Sequence, residues 1–294
     1  MKLAVFTKNR SNPAYEAARL GADRAAHWLG AQTLHFVPET GDDPGQQSAL
    51  VDEALALAPD AFVFTPVHAT RVNAALERIA AARIPLFGFV NAIPAGPCVS
   101  YVGSDDERLA FETAQYLFRH LGGHGRVLMV SGPAASVTSL ARLRGYAKAA
   151  ETHAGITLLG PAVGDYLRET ARDATAQWLA AHDAPDGALV ANDIMAVGVV
   201  DALRAAGQHA PVVGVNAIPE ALAAIRAGDM LATADFNAMR MAFLATECAV
   251  RHLRGEPVPA RIELPVQMVD CHNAHLWDLP FAQRPVLTLE ELNP

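Results

Sequence analysis

The chain has 294 residues, 51% of them hydrophobic and 18% charged, with a formal net charge of −8. This length suffices for two domains, each large enough to bury its own core. The acidic balance predicts no nucleic-acid partner, because such partners usually select a basic patch. Three cysteines, Cys98, Cys248 and Cys271, are too few for a disulfide framework and are expected to be small buried hydrophobes.

The amino terminus does not resemble a secretory leader. Lys2 is followed by four apolar residues before "TKNR", which is too short for the apolar region of a signal peptide. The sequence has no run of about 18 apolar residues, so no membrane-spanning helix is predicted. We therefore expect either a cytoplasmic protein or a mature exported form to which a starting Met was added.

Short apolar runs alternate with amphipathic stretches along the chain. "KLAVF" predicts a strand over 2–6, and the stretch after it predicts a helix that opens near Pro13. Further strands are predicted, each followed by a helical pattern or a turn, at "QTLHFV", "AFVFTP", "PLFGFV", "RVLMVSG", "GITLLG", "GALVAND" and "PVVGVN". Because this alternation is typical of parallel sheets covered on both faces, the predicted fold class is α/β with doubly wound parallel sheets.

The order βαβαβαβ occurs twice, which indicates a duplicated architecture. The sequence "VNAIP" closes corresponding strands of the two halves and contains Asn91 in the first copy and Asn216 in the second. Ligands of open α/β sheets bind beyond the carboxyl ends of the strands. We therefore expect both asparagines at the binding edges of two lobes that share a cleft. A coincidence of two turn sequences is the alternative at this point.

Motifs of the common enzyme classes are missing from the sequence. It contains no glycine-rich dinucleotide signature, no P-loop and no nucleophile elbow. "CHNAH" at 271–275 lacks a second ligand pair at a zinc-site spacing, so no metal site is predicted. His68 follows a strand and is expected at the rim of a cleft rather than as a catalytic base. The prediction is a protein that is not an enzyme and needs no cofactor.

Six longer segments, spread over about residues 2–270, each match a part of one family's sequence pattern. The tail "WDLPFAQRPVLTLEEL" lies outside that pattern. The segments are "AVFTKNRSNPAYEAARLGADRAAHWLGA", "ARIPLFGF", "SYVGSDDERLAFETAQYL", "SLARLRGYAKA", "GALVANDIMAVGVVDALRAAG" and "VVGVNAIPEALAAIRAGDMLAT". Together these segments resemble the type I periplasmic solute-binding proteins of the ribose-binding kind, which serve sugar ABC transporters.

The resemblance implies two lobes joined by a three-segment hinge and able to close on a ligand. The amino-terminal lobe is then expected to comprise residues 1–103 plus 237–268. The carboxyl-terminal lobe is expected to comprise residues 104–236 plus 269–294.

The predicted ligand contacts combine positions that match the family with two residues chosen by their place after strands, Lys8 and His68. Arg142 matches the ligand-clamping arginine of the family, and Phe236 stands where many members carry a polar residue. For the aromatic positions, core packing is the alternative. The full predicted set is Lys8, Asn12, Tyr15, His68, Phe89, Val90, Asn91, Arg142, Tyr166, Asn192, Asn216 and Phe236.

The sequence departs from the sugar-binding pattern in ways that affect the expected ligand. Sugar binders usually carry an Asp-Arg pair where this chain has Val90-Asn91, and an aspartate where it has Asn216. Lys8 is expected to reach into the site, with a solvated loop lysine as its alternative. These departures favour a ligand richer in acceptors than a plain aldopyranose. A neutral monosaccharide or polyol stays the first expectation, and a sugar acid is the second.

The resemblance implies an ABC-importer solute-binding protein that delivers its ligand to membrane permease subunits. We expect a monomer located in the periplasm. Two regulatory alternatives use the same fold, namely the ligand-sensing domain of a signalling receptor and a LacI-type regulator. The regulator would need a helix-turn-helix domain before the first strand, which begins here at Lys2.

Overall fold

A computed structural model describes residues 1–292, which divide into two compact α/β units. The first unit comprises residues 1–104, 237–264 and 279–292, and the second comprises residues 105–236 and 265–278. Within the described residues each unit is built around one six-stranded sheet. The predicted α/β fold class with two doubly wound sheets is confirmed.

The strands and helices alternate in chain order as the apolar pattern predicts. The strands are β1 (Lys2–Phe6), β2 (Gln32–Phe36), β3 (Ala61–Phe64), β4 (Leu86–Phe89), β5 (Ser100–Gly103), β6 (His124–Ser131), β7 (Gly155–Val163), β8 (Gly187–Val190), β9 (Val212–Val215), β10 (Ala232–Asp235), β11 (Arg261–Glu263) and β12 (Gln267–Asp270). The helices are α1 (Pro13–Trp28), α2 (Pro44–Ala56), α3 (Asn73–Ala81), α4 (Asp106–His120), α5 (Val137–Ala150), α6 (Arg168–Ala181), α7 (Asp193–Ala205), α8 (Pro219–Ala227), α9 (Ala238–Leu253) and α10 (Leu289–Leu292).

The two sheets have the same strand arrangement. The first has the order β11–β5–β4–β3–β1–β2, and the second has the order β12–β10–β9–β8–β6–β7. All pairings of the first sheet are parallel, as are those of the second except for the edge pair β10–β12, which is antiparallel. The apolar pattern does not predict the antiparallel direction of β12, because a run of four residues carries no information about strand direction.

The central strands are buried on both faces, which is why they read as uninterrupted apolar runs. All four residues of β3 are fully buried, and Phe6 of β1 stacks on Phe36 of β2 with ring centroids 4.9 Å apart. Polar side chains cap several of the helices that follow strands. Asn12 caps α1 and Asn192 caps α7, so both caps lie near the carboxyl edges of their sheets.

The carboxyl-terminal tail from Leu279 to residue 292 belongs to the first unit, whereas the expectation placed it in the second. Polar contacts with α1 and α9 hold it there. The backbone N–H of Leu289 donates to the buried Glu247 carboxylate at 3.0 Å, Glu290 pairs with Arg251 at 2.9 Å, and Arg24 donates to the carbonyl of Arg284 at 2.8 Å.

The boundaries after residue 237 change accordingly. Residues 265–268, expected in the first lobe, belong to the second unit, because β12 pairs with β10. Within residues 1–292 the chain passes between the units four times, one time more than the predicted three-segment hinge.

The cysteines differ from one another in exposure. Cys248 is buried and Cys98 is partly buried, but Cys271 is exposed in the turn after β12. The expectation of buried cysteines is therefore wrong for Cys271. Among residues 1–292, no helix combines the length and the apolar character that crossing a bilayer requires.

Candidate functional site

Seven of the predicted contact residues lie in the first unit, at the ends of strands β1, β3 and β4 or after them. We call the carboxyl ends of these parallel strands, with the residues that follow them, the first binding edge. Parallel neighbours end at the same edge of a sheet, so the topology brings these segments together. The residues are Lys8, Asn12, Tyr15, His68, Phe89, Val90 and Asn91.

Lys8 is buried and ion-paired rather than solvated. Its Nζ lies 3.0 Å from Oδ1 of Asp42, and its side chain is only 5% exposed. Asn9 donates to the other carboxylate oxygen of Asp42 at 2.9 Å, and the Asp42 backbone N–H donates to the Lys8 carbonyl at 2.9 Å. The charge of Lys8 is therefore compensated by a carboxylate from the loop after β2. Sequence reasoning missed Asp42, because no motif links it to the first strand.

Asn12 and Tyr15 occupy the start of α1. The Asn12 Oδ1 accepts from the backbone N–H of Ala14 at 3.0 Å, and the Asn12 N–H donates to Oδ1 of Asn9 at 3.1 Å. Since this oxygen caps the helix, a ligand contact from Asn12 would use its amide N–H groups. Tyr15 is 8% exposed and packs within the first unit.

His68 organises the loop after β3. Its Nδ1 accepts from the backbone N–H groups of Thr70 at 3.1 Å and Arg71 at 3.2 Å. Two donors at Nδ1 assign the ring proton to Nε2. A ligand contact from His68 would therefore be a hydrogen bond donated by Nε2.

The first "VNAIP" turn contains a strained residue. Val90 has φ = +61°, a conformation that a β-branched residue rarely adopts. Two contacts fix it, since the Val90 N–H donates to the Val102 carbonyl at 3.0 Å and the Tyr101 hydroxyl donates to the Val90 carbonyl at 2.7 Å. Phe89 beside it is fully buried, and the Asn91 N–H donates back to the Phe89 carbonyl at 2.8 Å. Backbone strain of this kind clusters at functional sites.

The other five predicted residues lie in the second unit. We call the carboxyl ends of β6, β7, β8, β9 and β10, with the residues that follow them, the second binding edge. The residues concerned are Arg142, Tyr166, Asn192, Asn216 and Phe236.

Arg142 is buried in a network of its own. Its Nε and Nη2 donate to Oδ1 of Asp106 at 3.0 and 2.9 Å, and Nη1 donates to the Ala191 carbonyl. The guanidinium also lies over the Phe236 ring, 5.6 Å from its centroid. Burial by itself would lower the pKa of Arg142, but Asp106, with the phenol groups nearby, outweighs burial and raises it. The arginine is therefore a charged, compensated group.

Tyr166 lies against the backbone after β6. Its hydroxyl and the Ser136 Oγ are 3.1 Å apart, and the ring covers Gly132 so closely that a Cβ there would meet Cζ at 2.3 Å. Tyr166 itself has φ = +60°. Glycine at 132 is thus required for this ring position.

Asn192 and Asn216 follow neighbouring strands of the second sheet, β8 and β9. Oδ1 of Asn192 accepts from the Met195 N–H at 3.0 Å and so caps α7. Asn216 has φ = +123° and donates its N–H to the Ala234 carbonyl at 2.8 Å. Its Oδ1 is buried and has no hydrogen-bond partner among the described residues. Most buried acceptors are hydrogen-bonded, so this oxygen is available to a water molecule or a ligand hydroxyl.

The two "VNAIP" copies have different backbones. In the first copy the positive φ falls on Val90, whereas in the second it falls on Asn216 and Ala217. Pro219 starts α8, whereas Pro94 is followed by a loop that leads to β5. The copies therefore present their asparagines differently, although both follow a strand at a binding edge.

No metal site is recognised in the described part of the chain, where no group of three His, Cys, Asp or Glu side chains has a suitable arrangement.

A pair of doubly wound units, each with amide, aromatic and compensated charged side chains at the carboxyl edge of its sheet, defines a protein built to bind a small polar ligand. The family model described as "periplasmic binding protein domain" matches residues 3–257, and the chain belongs to this family. Members of this family are solute-binding proteins, not enzymes.

Individual relatives agree with this assignment. The chain is 22% identical over 267 residues to the ribose import binding protein of Haemophilus influenzae, with 91% of this chain and 90% of the relative covered. It is 27% identical to the D-apiose import binding protein of Paraburkholderia graminis, with coverage of 86% and 81%. An ABC transporter solute-binding protein from Mycobacterium smegmatis with bound glycerol superposes with a TM-score of 0.86 at 26% identity, covering 94% and 96%.

Proposed function

We propose that this chain is the solute-binding protein of an ABC importer and that its ligand is a small neutral polyhydroxy molecule, a monosaccharide or a polyol. The relatives described above are named for ribose and D-apiose, and the M. smegmatis structure holds glycerol. All three molecules are uncharged and rich in hydroxyl groups. They support a ligand class without selecting a member of it.

The observation that carries the proposal is the pairing of both predicted site cations with carboxylates. Lys8 lies 3.0 Å from Asp42, and Arg142 lies 2.9 Å from Asp106. An anionic ligand near either cation would meet a carboxylate already in place, and the like charges would repel. Asp235 adds a further carboxylate at the end of β10. A neutral ligand avoids this repulsion, so we favour it over a sugar acid.

Side-chain amides match the chemistry of a polyol. Each predicted asparagine has two side-chain N–H donors, although the Oδ1 atoms of Asn12 and Asn192 already cap helices, and each ligand hydroxyl is both a donor and an acceptor. The buried, unpartnered Oδ1 of Asn216 is an acceptor suited to a ligand hydroxyl. Tyr15 and Tyr166 supply ring faces for the C–H side of a sugar or polyol.

The proposal extends to the remaining predicted roles. The ligand contacts are the twelve residues predicted from the sequence, seven at the first binding edge and five at the second. The protein acts as a monomer in the periplasm and delivers the ligand to the permease subunits of its transporter. The family membership supports this location and this partner.

Pairs of compounds that differ mainly in charge test the proposal. Ligand-free protein, prepared by unfolding, dialysis and refolding, is screened by thermal shift against galactose with galacturonate and xylitol with xylonate. A ligand at 100 times its Kd stabilises the folded state by about 2.7 kcal/mol, a shift of several degrees for a chain of this size. The proposal predicts shifts only for neutral members of such pairs. Shifts for acids alone, or for none of a wide neutral panel, would contradict it.

A further inference from the structure

The carboxylate of Asp193 braces the turn that carries Asn216. Its Oδ2 accepts a hydrogen bond from the Ile218 N–H at 3.1 Å, and its Oδ1 accepts one from the Thr233 hydroxyl at 2.7 Å. The oxygen of Thr233 in turn accepts from the Ala217 N–H at 3.3 Å. Two consecutive N–H groups of the turn are thus held by one carboxylate and by the hydroxyl that it orients.

This turn has a backbone that needs support. Asn216 has φ = +123° and Ala217 has φ = +52°, values that residues with a side chain rarely adopt. Such conformations persist only where the surroundings hold them in place. On the other side of the turn, the Asn216 N–H donates to the Ala234 carbonyl at 2.8 Å. Asp193 and Ala234 therefore fix the turn from two directions.

The packing around Asp193 is shaped to admit the carboxylate. Asp193 is fully buried, although it is the first residue of α7. On the adjacent strand β9, a Cβ at Gly214 would lie 2.2 Å from the Asp193 Oδ1. Any larger residue at 214 would therefore displace the carboxylate from the turn.

We propose that Asp193 is a positioning residue, which holds the Asn216 carboxamide in the orientation that the ligand recognises without contacting the ligand itself. This inference rests on the proposed function, because it assigns Asn216 to ligand binding. Asp193 is not among the ligand contacts predicted from the sequence, although it directly follows the predicted contact Asn192.

The brace connects ligand binding to pH. Burial raises the pKa of Asp193 to about 7, opposed by the bonds from Thr233 and the Ile218 N–H and assisted by the charge of Asp235. Asp235 is the charged group that faces it from β10, while β9 presents Gly214 and the turn presents its backbone N–H groups. An ionised carboxylate accepts both bonds well, whereas a protonated one loses an acceptor. Ligand affinity should therefore fall as the pH drops through about 7.

The conservative variant Asp193→Asn tests the role, because it keeps the shape and loses one acceptor and the charge. We expect its affinity for the best neutral ligand, measured by calorimetry at pH 8, to fall about tenfold, the cost of a lost hydrogen bond to a charged group. The pH dependence near 7 should disappear in this variant.

In an Asn216→Gly background the same substitution should have no further effect, because a positioning residue acts only through the residue it positions. Thr233→Ser, which keeps the hydroxyl, should retain most of the affinity that Thr233→Val loses.

A second readout does not depend on the ligand. In wild-type protein, the Ala217 and Ile218 amide protons should be protected from hydrogen exchange, and Asp193→Asn should expose them while the rest of the second unit stays protected. An equal loss of affinity in the presence and absence of Asn216 would overturn the inference, as would unchanged protection of the two amides. If wild-type protein bound no neutral polyol but the amides behaved as expected, the proposed function would fail and the brace would stand.

Discussion

Replacing Asn216 by glycine removes a buried carboxamide from the second binding edge without straining the backbone. Asn216 is 8% exposed and has φ = +123°, which glycine adopts freely and alanine does not. Its Oδ1 makes no hydrogen bond within the described chain. The side chain therefore contributes little to the fold but, on our proposal, much to the ligand.

The expected magnitudes follow from these contacts. Loss of a buried hydrogen-bond partner leaves a ligand hydroxyl unpaired and costs about 1–3 kcal/mol of binding, or about 5- to 150-fold in Kd. Asn216→Gly should leave the free energy of unfolding of the ligand-free protein nearly unchanged, because relief of strain offsets the greater freedom of the unfolded chain. Asn216→Ala should weaken binding to a similar degree and in addition destabilise the fold by about 1 kcal/mol or more.

Calorimetry gives the affinity, and urea unfolding of ligand-free protein gives the stability. A matched control is Thr175→Val on α6, which deletes another buried oxygen without a partner but lies within a helix rather than at a binding edge. The control should bind as tightly as wild type. Unchanged affinity in Asn216→Gly, or an equal loss in the control, would refute the assignment of Asn216 to the ligand.

Three further predictions concern stability. Asp106→Ala leaves the Arg142 charge buried without its carboxylate and should cost about 3–5 kcal/mol in urea unfolding, whereas an exposed pair would cost less than about 1 kcal/mol. The raised pKa of Asp193 means that this carboxyl group binds a proton more tightly in the folded state than in the unfolded chain. The stabilisation that protonation of Asp193 gives to the folded state is therefore greatest below about pH 4 and is lost as the pH rises to about 7. This decline should be absent from the pH–stability profile of Asp193→Asn. Leu289→Pro removes the N–H that the buried Glu247 accepts and should cost about 1–3 kcal/mol, measured by thermal unfolding, while a cost within error would show that the tail does not stabilise the first unit.

The fold could be predicted because local patterns determine most of its elements. "AFVF" reads as a strand buried on both faces, and all four residues of β3 are buried. Pro13 predicts the start of α1, because proline is suited to the first turn of a helix. Repetition of such patterns in both halves was enough to predict two similar sheets.

The interactions at the binding edges could not be predicted in the same way. Lys8 and Arg142 were expected as cations, but their partners Asp42 and Asp106 come from other elements and depend on how the chain packs. The tail was assigned to the wrong unit because its anchors, such as Glu247, are contacts between distant segments. Asp193 could have been noticed, since a carboxylate within a buried helix start needs donors.

The central claim is that the ligand is neutral and polyhydroxylated, and calorimetric titration of ligand-free protein with the best neutral hit and its matched acid tests it most directly. The titrations are run at about 20 mM and 500 mM salt, because screening weakens the attraction of a charged ligand and leaves that of a neutral one unchanged. We predict one neutral ligand per chain, with the same Kd at both salt concentrations and weaker binding of the acid. Binding of the acid alone, weakened by salt, would contradict the account.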